Sequence, residues 1–167
     1  SYAIYDGTSM ASPIAAGVCG IVKSHFPGYT ALQVGEKVRV TSDNIDAANP
    51  SYIGRLGKGR INMQRALTVS SPSVRLLAYT VTDGNNNVPQ PNDTIRITGD
   101  FKNYLDATSN AVSSISTTSG AVTIMNESSV LGAIPTLGNT TNASSPFIVM
   151  VNSNAAANTI VEFKLSY

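Results

Sequence analysis

Apolar residues follow two different rhythms along the chain, and the change falls near residue 70. From Ser9 to about Phe26, Ile14, Val18, Ile21 and Val22 recur at helical spacing with small residues on the other faces, which predicts a helix apolar all round and therefore central in its domain. Pro13 falls in its first turn, where a missing N–H costs little, and Pro27-Gly28 ends it. Thr30 reads as an N-cap with Gln33 three residues on, a capping box that opens a second helix through Val34 and Val38 to about Thr41. Its β-branched valines and internal Gly35 are poor helix formers, so this helix must lean on tertiary packing. After a polar loop with Asn49-Pro50, the run Gly57-Lys58-Gly59-Arg60-Ile61-Asn62 predicts a small turn or hairpin, and Asn62 caps a short helix through Met63, Ala66 and Leu67.

Ser70-Ser71-Pro72-Ser73 reads as a linker, and beyond it the composition shifts to Thr, Ser, Asn and β-branched residues. Asp93 to Asn103 alternates, with Ile95, Ile97 and Phe101 to one side and Arg96, Thr98, Asp100 and Lys102 to the other: a half-buried strand. Further strands are expected over 74–82, 111–116, 121–125, 130–134, 146–151 and 159–165. Short strands separated by turn residues predict an antiparallel β-sandwich over 73–167, folding alone, with Phe101, Tyr104, Phe147 and Phe163 in its core. The whole is an α+β chain whose first unit spans 1–69.

Composition narrows the functional classes. Eleven Lys plus Arg against ten Asp plus Glu leave a net charge of +1, which argues against a nucleic-acid surface. The balance shifts from +3 up to Pro72 to −2 beyond it, in keeping with two units. One cysteine, Cys19, excludes an internal disulfide framework and reads as a buried apolar side chain. With a single histidine no zinc site of the usual kind can be assembled, and neither metal nor cofactor is expected. No apolar run approaches the roughly 20 residues of a membrane span, and no signal peptide opens the chain.

The candidate chemistry lies in Gly7-Thr8-Ser9-Met10-Ala11-Ser12-Pro13. Gly7 can take backbone angles closed to other residues, so the chain can turn sharply and present Ser9 at the head of the apolar helix. Unpaired amides and the positive end of the helix dipole favour negative charge there, which is what an oxyanion hole needs as a carbonyl becomes tetrahedral. Ser9 would then supply an attacking oxygen and one stabilising N–H; the plainer reading makes it an N-cap on a buried helix. Ser12 is expected to point one helical turn away.

These seven residues, followed by Ala16-Gly17, closely resemble the serine-bearing signature of the subtilisin-like serine proteases. The Thr-x-x-Gln-Val start at Thr30 and the Gly-x-Gly-x-Ile-Asn run at Gly57 are also similar to that family, so the resemblance covers residues 1 to about 68. Ile14 departs from it, since many members carry a histidine after the proline, one that is not part of the triad. The resemblance implies the C-terminal, helical end of an α/β catalytic domain, with Ser9 as nucleophile, its N–H in the oxyanion hole, and protein or peptide as substrate. It also implies a secreted or cell-surface location. The β-rich remainder looks like the immunoglobulin-like accessory domains that follow the catalytic domain in many bacterial members.

In that family the aspartate and histidine of the triad, and the asparagine that completes the oxyanion hole, precede the serine. His25, 16 positions along the same helix, would sit about 24 Å from Ser9 and cannot serve as base; it reads as a solvated helix end. Asp6 is near in sequence but has no histidine to orient. The sequence is therefore expected to be a piece of a larger protease, inactive alone. The second reading, from another class, is a non-catalytic binding or spacer β-sandwich of a pseudoprotease or surface protein. Self-association through the helix from Ser9 to Phe26 is expected if that helix is left uncovered.

Two features of the second unit bear on chemistry. Asp83-Gly84-Asn85-Asn86-Asn87 alternates oxygen side chains as a calcium loop does, but Val88 and Thr94 stand where glycine and glutamate belong, so a plain hairpin loop is the better reading. Four glycosylation-type triplets, starting at Asn92, Asn126, Asn139 and Asn142, are expected by chance in so Asn- and Thr-rich a stretch.

Overall fold

The computed structural model describes residues 7–167, so Asp6 lies outside the described residues. Helices fill the first part, α1 (Thr8–His25), α2 (Ala31–Val40) and α3 (Met63–Thr68), with single turns of 3-10 helix at Asp46–Ala48 and Pro50–Tyr52. Eight antiparallel strands follow. The chain divides into two compact units, one holding the residues up to Ser73 together with Tyr104–Asp106, the other Val74–Asn103 and Ala107–Tyr167.

The first unit is built on Val18 and Val22 of α1, Val34 and Val38 of α2, and Ala66 of α3, with Cys19, Phe26, Tyr29, Ile61 and Leu67 packed around them. Cys19 is half-buried rather than buried. The expectation of a central α1 is corrected: among the described residues only one stripe of it is covered, and Met10, Ile14 and Ile21 are 44%, 66% and 44% exposed. Pro13 is corrected too. It is the sixth residue of α1, beyond the first turn, so the ladder bond its N–H would have made to the Ser9 carbonyl is lost.

The expected dependence of α2 on its surroundings takes a specific form. Its capping box is complete: Gln33 N donates to Thr30 Oγ1 (3.3 Å), and Thr30 N donates to Gln33 Oε1 (3.0 Å). Beyond the cap, two charged residues are buried, Glu36 and Lys37. Glu36 Oε2 accepts from Arg39 Nε (3.0 Å), Arg39 Nη2 (2.6 Å) and the Ser73 hydroxyl. Lys37 Nζ donates to the Val69 carbonyl (2.6 Å), lies 4.0 Å from Asp106 and sits 5.5 Å from the centre of the Phe26 ring. Each charge thus has partners where solvent is excluded, the condition under which burying it is tolerable. Tyr104, expected in the sandwich core, belongs instead with the helices: its N–H donates to Ser73 O (2.9 Å) and its carbonyl accepts from Gln33 Nε2 (3.1 Å).

Of the turn or hairpin expected near Gly57, the turn forms, and among the described residues the only pairing at Arg60 is one antiparallel bridge to Asp43, held by Asp43 N to Arg60 O (2.8 Å) and Arg60 N to Asp43 O (2.9 Å). Asn62 caps α3 as expected, its Oδ1 accepting from Arg65 N (3.0 Å).

In the second unit the strands are β1 (Val74–Thr82), β2 (Thr94–Asn103), β3 (Thr108–Ser116), β4 (Val122–Asn126), β5 (Ser128–Ile134), β6 (Asn139–Thr141), β7 (Phe147–Val151) and β8 (Lys164–Ser166). One sheet runs β1-β2-β7-β4, with β6 also on β2; the other runs β5-β3-β8. Ile95, Phe147, Val149 and Val151 of the first sheet form one core cluster with Ile115 and Leu165 of the second, so apolar faces of the two sheets meet. Phe101 is fully buried in a further cluster with Leu131 and Ile134. Strand β8 is shorter than the expected 159–165, and β6 is a strand beyond those expected from the pattern.

Side-chain oxygens of the loop after β1 turn to their own backbone: Asp83 Oδ1 accepts from Asn85 N and Asn87 N, both at 2.9 Å. These bonds hold the Asp83 carboxyl below its ordinary pKa. Loop 83–93 joins the paired β1 and β2, as a hairpin loop does. Of the glycosylation-type positions, Asn142 is fully buried, with Oδ1 accepting from Gly99 N (2.6 Å) and Nδ2 donating to Ile97 O (3.4 Å).

Candidate active site

Ser9 is the second residue of α1, and the geometry that puts it there begins at Gly7. Gly7 is the N-cap residue with φ of 146° and ψ of 172°, a conformation that any side chain would strain. Its carbonyl accepts from Met10 N (3.1 Å) and Ala11 N (3.2 Å), which starts the helical ladder. Among the described residues no side chain caps this end. Thr8 and Ser9 occupy the first two helical positions, where an amide has no acceptor within the helix. The first turn carries no acidic residue, while Lys23 and His25 stand in the last turn, so the positive end of the dipole is left uncompensated by the helix's own carboxylates. Ser9 is exposed, as are Thr8, Met10, Ala11, Ser12 and Pro13.

This arrangement offers an anion-favouring helix start with a hydroxyl beside it. A carbonyl oxygen that gains charge could be met there by the Ser9 N–H while Ser9 Oγ approaches the carbon. Ser12 lies three residues further along the helix. The Thr8 amide, which shares the first turn with that of Ser9, is a second donor that inspection of side chains alone overlooks.

No proton acceptor is brought to Ser9 by this chain's histidine. His25 closes α1 at the opposite end, exposed and edge-on to Phe26 with ring centres 4.6 Å apart. No group of three or more His, Cys, Asp or Glu among the described residues is placed to hold a metal ion. Among them, too, no helix is long and apolar enough to cross a membrane.

Residues 1–59 match the subtilase family. Subtilisin E of Bacillus subtilis strain 168 is 36% identical over 69 residues, which are 40% of this chain and 16% of that protein. Subtilisin of Bacillus pumilus is 36% identical over 69 residues, 40% of this chain and 22% of that protein. Thermostable alkaline protease of Halalkalibacterium halodurans is 40% identical over 53 residues, 32% of this chain and 14% of that protein. These stretches span less than a quarter of the relatives' length, and the family match leaves residues 60–167 unassigned. The first part of the chain is therefore related to serine peptidases of the subtilisin kind, as its motifs suggested, and antiparallel sheets follow it.

Proposed function

We propose that this chain carries the nucleophile-bearing end of a subtilisin-like serine endopeptidase, and that Ser9 is the nucleophile. The observation that carries the reading is the family match over residues 1–59, which includes a serine that stands exposed in the first turn of α1 behind a glycine N-cap. In the reaction, Ser9 Oγ bonds to the carbonyl carbon of a peptide as its proton passes to a histidine base supplied from outside this sequence. The carbonyl oxygen takes up negative charge and is met by the Ser9 N–H; collapse then breaks the C–N bond, the amine leaves with the proton, and the acyl-enzyme is hydrolysed by water. Substrates are proteins or peptides, and the parent acts outside the cell or at its surface. The second unit we read as an immunoglobulin-like β-sandwich that supports or positions the catalytic part.

One observation favours the alternative, a non-catalytic module: the chain's single histidine is held at the far end of α1 from Ser9. A fluorophosphonate probe separates the two. The 167-residue chain should not be labelled, since losing a triad member costs on the order of a million-fold in turnover. A longer polypeptide that includes the aspartate and histidine segments should be labelled and should cleave casein, and Ser9→Ala should abolish both while Ser12→Ala abolishes neither. Labelling that survives Ser9→Ala overturns the nucleophile assignment, and a parent lacking those segments establishes the binding module.

A further inference from the structure

The helical unit is not continuous in sequence. Three of its residues, Tyr104–Asp106, come from the connection between β2 and β3, whose flanks on both sides belong to the second unit. Two of the three are bonded to helix or linker residues, and the third is buried. Gln33 Nε2 of α2 donates to the Tyr104 carbonyl (3.1 Å), and Leu105 is 1% exposed. Asp106 Oδ2 accepts from the Ser70 hydroxyl (2.9 Å) and from Ser71 N (2.8 Å), and lies 4.0 Å from Lys37 Nζ. Gln33 and Lys37 are only 5% and 3% exposed. Taking the segment away would leave α2 with a buried amide short of an acceptor and a buried ammonium short of its counter-charge, both of which are destabilising.

Pairing inside the second unit is what brings the segment to this place. Val74 and Asn103 stand opposite each other where β1 and β2 begin and end, so the chain that leaves at Ser73 comes back beside it at Tyr104, and Tyr104 N donates to Ser73 O (2.9 Å). Asn103 is fully buried and fixes that end of β2: its N donates to Gly138 O (2.9 Å) and its Nδ2 to Ile134 O (3.2 Å). With β1 and β2 apart, the same contacts would have to close a long flexible excursion against its chain entropy. The apolar clusters of the sheets, by contrast, are made of second-unit residues alone.

From these observations we infer that Tyr104–Asp106 is a clip through which the helical unit completes its fold, and that the dependence runs one way. The helices need a paired β1 and β2 to deliver the clip, whereas the sheets need nothing from the helices. Because Val34 and Val38 of α2 share one core cluster with Val18 and Val22 of α1, the helix that bears Ser9 is finished only after the downstream strands have formed. The second unit thereby acts as an assembly factor for the nucleophile-bearing helix. That role rests on the peptidase reading; the folding dependence does not.

Amide hydrogen exchange on the full chain tests it, since it reads each unit separately. Val149→Asp places an unpaired charge in the fully buried core of the sheets and should strip protection from 147–151 and, with it, from 31–40. Val38→Asp, in the core of the helices, should strip 31–40 and leave 147–151 protected. Leu105→Ala and Asp106→Ala leave both sheet clusters intact; each should speed exchange in 31–40 by at least about tenfold without changing 147–151. Helices that stay protected after the strands have opened would overturn the proposal, as would exchange in 31–40 that neither Leu105→Ala nor Asp106→Ala alters. Loss of protection at 147–151 in Val38→Asp would overturn the one-way dependence. If Val149→Asp cannot be kept in solution, the two clip variants still decide the matter. Exchange reports folding whether or not Ser9 is a nucleophile, so failure of the peptidase reading cannot imitate any of these outcomes.

Discussion

Replacing Gly59 by alanine should open the bridge that ties the loop before α3 to the end of α2. A Cβ at Gly59 would lie 1.9 Å from the Asp43 carbonyl oxygen, 2.9 Å from its carbon and 3.2 Å from Asn44 Cα. All three are backbone atoms, so no side chain can swing aside. The residue also has φ of +107°, which an alanine adopts only with strain of about 1–3 kcal/mol. Relief requires Asp43 and Arg60 to separate, losing their two reciprocal bonds of 2.8 and 2.9 Å; at about 0.5–1.5 kcal/mol each, these bring the expected loss to about 2–6 kcal/mol. Gly57 is the internal control. It has φ of +60° but, among the described residues, nothing within 4 Å of its would-be Cβ, so Gly57→Ala should cost only the left-handed penalty of roughly 1–2 kcal/mol. Urea unfolding of the full chain, followed by far-UV ellipticity in the helical band, measures both, because the helices of the described chain all belong to the first unit. A Gly59→Ala loss no greater than that of Gly57→Ala would refute the argument from close approach.

Three further outcomes follow from other parts of the structure. The Asp43 carboxyl is held below its ordinary pKa by the Asn62 amide (3.0 and 3.1 Å) and then by Arg60, so its contribution is fully present above the unfolded value and is lost as pH falls through the folded one; acid unfolding below about pH 3.9 should flatten in Asp43→Asn, and an unchanged acid limb would count against it. Because Met10, Ile14 and Ile21 are exposed along α1, the 167-residue chain should self-associate in sedimentation experiments and Ile14→Glu should shift it toward monomer; a wild-type monomer at high concentration would contradict this. Residues 73–167 expressed alone should give a β-type circular dichroism spectrum with a cooperative melt, and a random-coil spectrum would defeat that expectation.

Much of the local structure was legible because it is locally determined. Thr30 and Gln33 satisfy each other within one turn, Asn62 reaches only to Arg65, and the inward run of Ile95, Ile97 and Phe101 follows from strand period alone. What could not be read depends on partners distant in the chain. Glu36 and Lys37 look like solvated helix positions until Ser73 and the Val69 carbonyl arrive to bind them. Tyr104 carries an aromatic ring in a β-rich stretch, but its backbone, paired to Ser73 and Gln33, decides which unit holds it. Strand β6 is three polar residues, Asn139–Thr141, that exist as a strand only because β2 continues past the end of β7 at Asp100–Lys102. Residues 160–163 have strand rhythm without a ladder, so the pattern overstated β8. At the candidate site the glycine turn, the helix and Ser9 at its head were readable; the position of Pro13 and the limited cover on α1 were not, since both depend on where the helix begins and what lies against it.

Asn142, whose side chain stands in for a sheet neighbour by bonding both Gly99 N and Ile97 O, bears on how the protein ages. Spontaneous deamidation needs the following backbone nitrogen to swing onto the side-chain carbonyl carbon and expel ammonia. At Asn142 the amide is anchored at both atoms, and the Ala143 nitrogen is itself occupied by Thr141 Oγ1 at 3.3 Å, so the attack would have to break these bonds first. Asn85 and Asn86, on the exposed loop after β1, are held only within that loop among the described residues, Asn85 Oδ1 accepting from Asn86 N and Asn86 Oδ1 from Val88 N (2.8 Å). Chemical wear in stored protein should therefore accumulate on that loop long before it reaches Asn142, and the arrival of damage at Asn142 would mark molecules that had already opened.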